Sequence, residues 1–193
     1  KTMQLKVREG NVVKPIEEII YSFQSFIEAH EIKLEVVKNS PTIIAWFDYD
    51  KIEKIITNLI SNAVKFTPAT GTIRISIIEK KEKNNYSISV EDSGIGIPEN
   101  EIGRILEPFY QAKNNTDSQQ IGTGIGLSLV NNLVLLHHGE LQISSSLQRK
   151  KETGFTTCFT VILPLGKEFQ DEELHTEPEI KKAKNPLTEE KEI

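Results

Sequence analysis

The chain has 193 residues, 37% hydrophobic and 26% charged, enough to bury the core of one domain with tails. Its net charge of −5 gives no electrostatic reason for nucleic-acid binding, and its single cysteine, Cys158, excludes an internal disulfide and fits a reducing compartment. No apolar run approaches the roughly 20 residues that span a bilayer, and no signal peptide is visible.

Met3, Leu5 and Val7 alternate with Gln4 and Lys6, which predicts a short strand over 3–7 and then a turn at Glu9-Gly10-Asn11. Pro15 suits the first turn of a helix. Ile16, Ile19, Ile20, Phe23, Phe26 and Ile27 follow at helical spacing and give one apolar stripe, ending at His30-Glu31. Segments 33–38 and 43–47 read as strands around Asn39-Ser40-Pro41, and Asp48 or Asp50 can cap the helix that runs to Phe66. Its core stripe is Ile52, Ile55, Ile56, Leu59 and Ala63. Asn58, Asn62 and Lys65 share a different face, two amides and an ammonium suited to phosphate oxygens and a divalent cation. A solvated helix face accounts for the same three residues.

Ile73, Ile75 and Ile77 alternate along a further strand, with a hairpin loop at Asn84-Asn85. The returning strand, with Ile88 and Val90, ends at Asp92 and leads into Glu91-Asp92-Ser93-Gly94-Ile95-Gly96-Ile97-Pro98. An ionised carboxylate at a strand end only accepts hydrogen bonds, and an adenine amino group is a suitable donor. Gly94 and Gly96 let the backbone turn and a flat ring approach; Asp-Ser-Gly is also ordinary turn chemistry. A short helix is predicted over 98–106, then a polar, aperiodic segment over 111–121 that reads as a mobile loop of functional length. Gly122, Gly124 and Gly126 open a buried helix running to His138, whose N–H groups and dipole favour phosphate. His137 and His138 fall at its C-terminus, where cationic character is favourable. Segments 140–146 and 154–163 read as a last hairpin, closed by Pro164. From Gly166 the composition is that of a polar linker or disordered tail.

Four stretches in this order resemble the N, G1, F and G2 boxes of the ATP-binding domain of bacterial sensor histidine kinases, whose superfamily includes DNA gyrase, Hsp90 and MutL. They are 58–68 (Asn-Leu-Ile-Ser-Asn-Ala-Val-Lys-Phe-Thr-Pro), 91–98, 107–111 (Glu-Pro-Phe-Tyr-Gln) and 122–127 (Gly-Thr-Gly-Ile-Gly-Leu). The resemblance covers about residues 10–165, with 1–9 as the end of an upstream linker and 166–193 as the tail. It implies an α+β fold, a two-layer α/β sandwich of Bergerat type whose mixed sheet is covered on one face by about three helices. It implies ATP and Mg²⁺ as cofactors. Asp92 would accept from the adenine amino group, with Gly94, Gly96 and Ile97 shaping the pocket. Asn62 would ligate Mg²⁺, and Asn58 and Lys65, beside Phe66, would reach the phosphates. Phe109 and Tyr110 would anchor a lid; Gly122, Thr123, Gly124, Ile125, Gly126 and Leu127 would bracket the triphosphate.

Many members carry a basic residue directly after the Phe-Tyr pair. Here Gln111 stands there, and Lys113 could substitute. No phosphoacceptor histidine box occurs, so the acceptor is expected on dimerisation helices of the same protein. The implied parent is a membrane-bound homodimeric sensor kinase with this domain in the cytoplasm. Its partner would be a response regulator or a fused receiver domain. Two other readings are an ATP-hydrolysing clamp and a catalytically silent nucleotide-binding module. A clamp needs a general base one turn before Asn62, where this chain has Asn58.

Overall fold

Two hydrophobic periods organise the molecule. In the computed structural model, which describes residues 4–111, 123–148, 154–166 and 169, period-two segments form a sheet and longer-period segments form helices over one of its faces. The elements are β1 (Arg8–Asn11), α1 (Val13–Ser22), α2 (Gln24–Ala29), β2 (Lys33–Lys38), β3 (Ile44–Phe47), α3 (Tyr49–Phe66), β4 (Thr72–Lys80), β5 (Asn85–Asp92), α4 (Glu99–Ile102), α5 (Gly126–Leu136), β6 (Glu140–Ser145) and β7 (Thr157–Pro164).

The main sheet runs β2-β4-β5-β7-β6, and β1 pairs with β3 in a separate two-stranded ribbon. Strands β2 and β4 are parallel and the other pairs antiparallel, so the sheet is mixed. Register places Ile75 opposite Val90 and Val90 opposite Phe159, and Ile77 opposite Ile88 and Ile88 opposite Val161. These six side chains are buried on the face covered by α3 and α5, and each contributes about 1.5–3 kcal/mol on burial. The alternate row, including Arg74, Ser76, Ser89, Glu91 and Thr160, makes a polar outer face where Glu35 takes Arg74 Nε at 2.9 Å and Nη2 at 2.8 Å. The expected α+β sandwich is the observed one.

Helix α3 follows its sequence signals closely. Asp48 is its N-cap: Oδ1 accepts the Lys51 amide at 3.2 Å. Burial pushes the Asp48 carboxyl up, but the Lys6 and Lys51 amides and the Lys51 ammonium outweigh it and hold it below its ordinary value. At the other end Thr67 hydroxyl and amide both turn back to Ala63 O, and Pro68 prevents continuation.

Four expectations are corrected. Residues 4–7 are not a strand; the strand is Arg8–Asn11, because the pairing with β3 sets Gly10 opposite Ala45 and Asn11 opposite Ile44. The single helix expected from Pro15 breaks at Phe23, where the amide bonds Ile20 O and Ser22 Oγ bonds back to Ile19 O at 2.7 Å. The break buries Ile27 and leaves Phe26 exposed. Helix α5 is less enclosed than its composition suggests: Val130, Leu133 and Val134 are buried, but Leu135 is 58% exposed. His137 is not cationic in character. It is buried, and desolvation holds its pKa below the ordinary value. Nδ1–H donates to Leu133 O at 2.8 Å and Nε2 accepts the Asp48 amide at 3.4 Å, so burial outweighs the helix dipole.

Packing continues past Pro164. Leu165 bonds Asn84 O and accepts the Trp46 amide, Gly166 lies close against Trp46, and Phe169 is buried with its ring 5.3 Å from that of His138. The expected mobile loop over 111–121 falls, except for Gln111, outside the described residues.

Candidate functional site

Strand β5 ends at Asp92 under the C-terminal half of α3. The chain then turns so tightly that a Cβ on Gly94 would lie 2.4 Å from Phe66 O and 2.7 Å from Asp92 Oδ1. The Gly94 amide donates to Asp92 Oδ1 at 2.9 Å, and the Ile95 amide donates to Phe66 O. Thr156, just before β7, closes the other side: its amide donates to Asp92 O at 2.8 Å, and its hydroxyl lies 3.0 Å from Gly94 O. Gly96, at φ +74, passes against the backbone of Ser146 and Leu147.

This arrangement floors a cavity of about 290 Å³. Asp92 is 5% exposed and lines it. Burial raises its carboxyl to about 6, offset by the Gly94 amide and the Thr156 hydroxyl. Both direct bonds to the carboxylate reach Oδ1, so Oδ2 takes no hydrogen bond from the described residues. An acceptor that opens on the cavity in this way can take a donor from a ligand.

The walls divide by chemistry. Ile95, Ile97, Pro98, Ile105, Leu127 and Phe159 make apolar walls around Asp92. Asn58, Ser61, Asn62 and Lys65 on α3, with Thr123, Gly124 and Gly126 at the start of α5, make the polar part. Lys65 is the only basic side chain among the described lining residues; its ammonium lies 4.9 Å from the Phe66 ring centre. Asn58 Nδ2 donates to Lys54 O at 2.7 Å, and its Oδ1 faces Gly126, where a Cβ would lie only 2.7 Å away. The Asn62 carboxamide makes no hydrogen bond to another described residue and lines the cavity. Flat apolar walls, one carboxylate acceptor and an amide-ammonium-glycine end together suit a purine followed by phosphates.

Of the residues expected from sequence, the cavity gathers Asn58, Asn62, Lys65, Phe66, Asp92, Gly96, Ile97, Tyr110, Gln111, Thr123, Gly124, Gly126 and Leu127. Gly94 supports the floor without lining it. Ile125 precedes α5 and is 42% exposed. Phe109 is 74% exposed among the described residues, and its amide donates to Gly124 O at 2.9 Å. Its backbone sits at φ +66. Tyr110 does pack, under the Arg104 guanidinium at 4.3 Å. Lys113 and Gly122 lie outside the described residues. Ser61, Ile95, Pro98, Ile105, Thr157 and Phe159 line the cavity without having been expected. Thr157 is the pairing partner of Asp92 across β5 and β7, a relation no local spacing announces.

A mixed sheet with this cavity between two of its helices defines a nucleotide-binding α/β sandwich. Residues 47–167 match the family described as histidine kinase-, DNA gyrase B- and HSP90-like ATPase, and the chain belongs to that family. It is 33% identical over 174 residues to histidine kinase P4 of Formosa agariphila, covering 88% of this chain and 12% of that protein. It is 32% identical over 163 residues to sensor histidine kinase WalK of Bacillus subtilis, covering 83% of this chain and 25% of that one. The chain therefore spans a quarter or less of these relatives. Among solved structures, the catalytic domain of histidine kinase ThkA superposes with a TM-score of 0.72 at 25% identity, covering 85% of this chain and 99% of that domain.

Proposed function

We propose that the chain is the ATP-binding catalytic domain of a two-component sensor histidine kinase, presenting the γ-phosphoryl group to a histidine on separate dimerisation helices. The observation that carries this is Asp92, a buried residue whose Oδ2 takes no hydrogen bond from the described residues, at one end of a cavity whose other end is lined by Asn58, Asn62 and Lys65. Asp92 selects a purine with an exocyclic amino group. Lys65 and the glycine-rich start of α5 neutralise and orient phosphates. Transfer of a phosphoryl group needs mainly this positioning and charge neutralisation. No described residue is placed to serve as a general base one turn before Asn62, because Asn58 is an amide whose nitrogen is engaged by Lys54 O. That favours a protein acceptor over hydrolysis.

Asn62 would hold Mg²⁺ through its carboxamide oxygen, the remaining ligands being phosphate and water oxygens. The described residues contain no cluster of three metal-binding side chains that would hold a metal ion by itself. When bound, the ion adds positive charge at the transferring phosphoryl group. Asn62→Ala is therefore expected to weaken nucleotide affinity in Mg²⁺ more than in EDTA, as read by titration calorimetry. Equal losses in both buffers would assign Asn62 a structural role.

The partners follow from the same reading: phosphoacceptor helices of the parent protein, then a response regulator or fused receiver domain. No described helix is long and apolar enough to cross a membrane; we assign membrane anchorage, homodimerisation and a cytoplasmic position for this domain to the parent protein. The chain alone should bind ATP without labelling itself. His137 is buried and bonded on both ring nitrogens, while His30 and His138 lie at helix ends. Incubation with γ-labelled ATP and Mg²⁺ should give no acid-labile phosphohistidine, and adding a protein carrying the upstream helices should. Stoichiometric label on the isolated chain would refute a separate acceptor.

A further inference from the structure

Helices α3 and α5 pack along one another in the core, and two polar contacts mark the opposite ends of their interface. At one, inside the cavity, α5 begins at Gly126 directly against Asn58 Oδ1. At the other, α5 ends at His137 against the Asp48 amide. The points are about ten residues apart on α3 and about eleven on α5, roughly 15–17 Å of helix in each case. The pair is therefore antiparallel, with one of these polar contacts in the nucleotide site and the other at the far end.

The far contact is specific. His137 is 2% exposed, and its Nδ1–H is committed to Leu133 O, which leaves Nε2 as an acceptor for Asp48. An apolar residue at 137 would close the helix equally well but would strip the acceptor from the amide of a residue that is 3% exposed. The same Asp48 starts α3 through Oδ1 and takes the Lys6 amide on Oδ2 at 2.8 Å, with Lys51 Nζ at 3.3 Å. One buried node thus joins the segment leading into the domain, the start of α3 and the end of α5.

We propose that His137 is a positioning residue for the nucleotide site: through Asp48 it sets the axial register of α5 on α3, and with it the approach of Gly126 to Asn58. The node also couples that register to the incoming segment at Lys6. The proposal rests on the nucleotide reading of the cavity. Asn58, Asn62 and Lys65 belong to α3 and the glycine end to α5, so an axial slip between the helices separates the two sides of the phosphate-binding end.

The test compares His137→Leu, His137→Gln and His137→Asn in the 193-residue chain. Gln retains an acceptor near the position of Nε2, whereas Asn retains only a donor near Nδ1. Calorimetry with ATP and Mg²⁺ should show affinity reduced about five- to tenfold for Leu and Asn and within about twofold for Gln. Amide and side-chain ¹⁵N spectra of the nucleotide-free chain should show Gly126 and the Asn58 carboxamide shifted in the Leu and Asn variants and restored in Gln. Unmoved Gly126 and Asn58 signals, or Asn binding as well as Gln, would overturn the proposal. Should Leu fail to fold, the Gln and Asn comparison decides. Failure of the unmodified chain to bind ATP would refute the nucleotide reading instead, and the spectra would still decide the register.

Discussion

Asp92→Asn is expected to abolish measurable ATP binding while leaving the domain folded. The new side chain keeps an oxygen for the Gly94 amide, which donates to Oδ1 at 2.9 Å, and changes the volume little. What it loses is the free acceptor. An amide N–H would face the adenine amino group, leaving two donors unpaired at about 1–3 kcal/mol each, so affinity falls roughly 100-fold or more. Titration calorimetry reads this directly, and a folded variant with native affinity would remove Asp92 from the site.

The same substitution should stabilise the empty domain near neutral pH. The folded carboxyl titrates at about 6 against an ordinary 3.8, chiefly because burial penalises the charge. The folded state therefore binds this proton more tightly than the unfolded one. Its contribution to stability is fully present below about 4 and is lost as pH rises through about 6, a change of about 3 kcal/mol. Nucleotide affinity moves the opposite way, since only the ionised form accepts from adenine: it should be flat above about 6 and fall about tenfold per pH unit below. Thermal melts of the native chain and the Asn variant from pH 4 to 8 check the first trend, and calorimetry over the same range the second.

Gly94→Ala should do the reverse, damaging the fold first. The added methyl would meet Phe66 O at 2.4 Å and Asp92 Oδ1 at 2.7 Å. Neither is the free end of a flexible chain. Phe66 closes α3 and accepts the Ile95 amide, and Asp92 is held by β4 and β7 on both sides. Relief requires the loop to move, at a cost of about 3 kcal/mol, which lowers Tm by roughly 6–12 °C for a domain of this size. Nucleotide binding should be lost as well, because the shifted loop carries Asp92 out of line with α3. Unchanged Tm with unchanged affinity would refute a steric role for the Phe66–Asp92 gap.

Much of this was readable from residues. Alternation at Ile73, Ile75, Ile77 and at Ile88, Val90 specifies strands with one buried face, because side chains on a pleated backbone reverse at every step. Asp48, the stripe from Ile52 to Ala63 and Pro68 specify both ends and the buried face of α3, since caps and helical period are local properties. Spacing on that helix also sets Asn58, Asn62 and Lys65 on one face. Asp92 with its two glycines, and the glycines before Leu127, mark places where backbone must approach something closely.

Tertiary structure decided the rest, wherever the deciding partner was remote in sequence. Pairing with Ile44–Phe47, not the alternation of Leu5 and Val7, selected Arg8–Asn11 as the first strand. Antiparallel pairing of β5 with β7 brought Thr157 beside Asp92 and Phe159 beside Val90. The Phe109 amide reaches Gly124 O, a contact between the end of one loop and the start of α5 that no local spacing announces. His137 carries the clearest case. Its position at a helix end favours a charge, but packing against Asp48 removed it from water, and desolvation outweighs a helix dipole that acts within one turn. Local periodicity encodes which face of an element is buried; which element buries it depends on sheet order and helix packing, and those are settled only when the whole chain is in place.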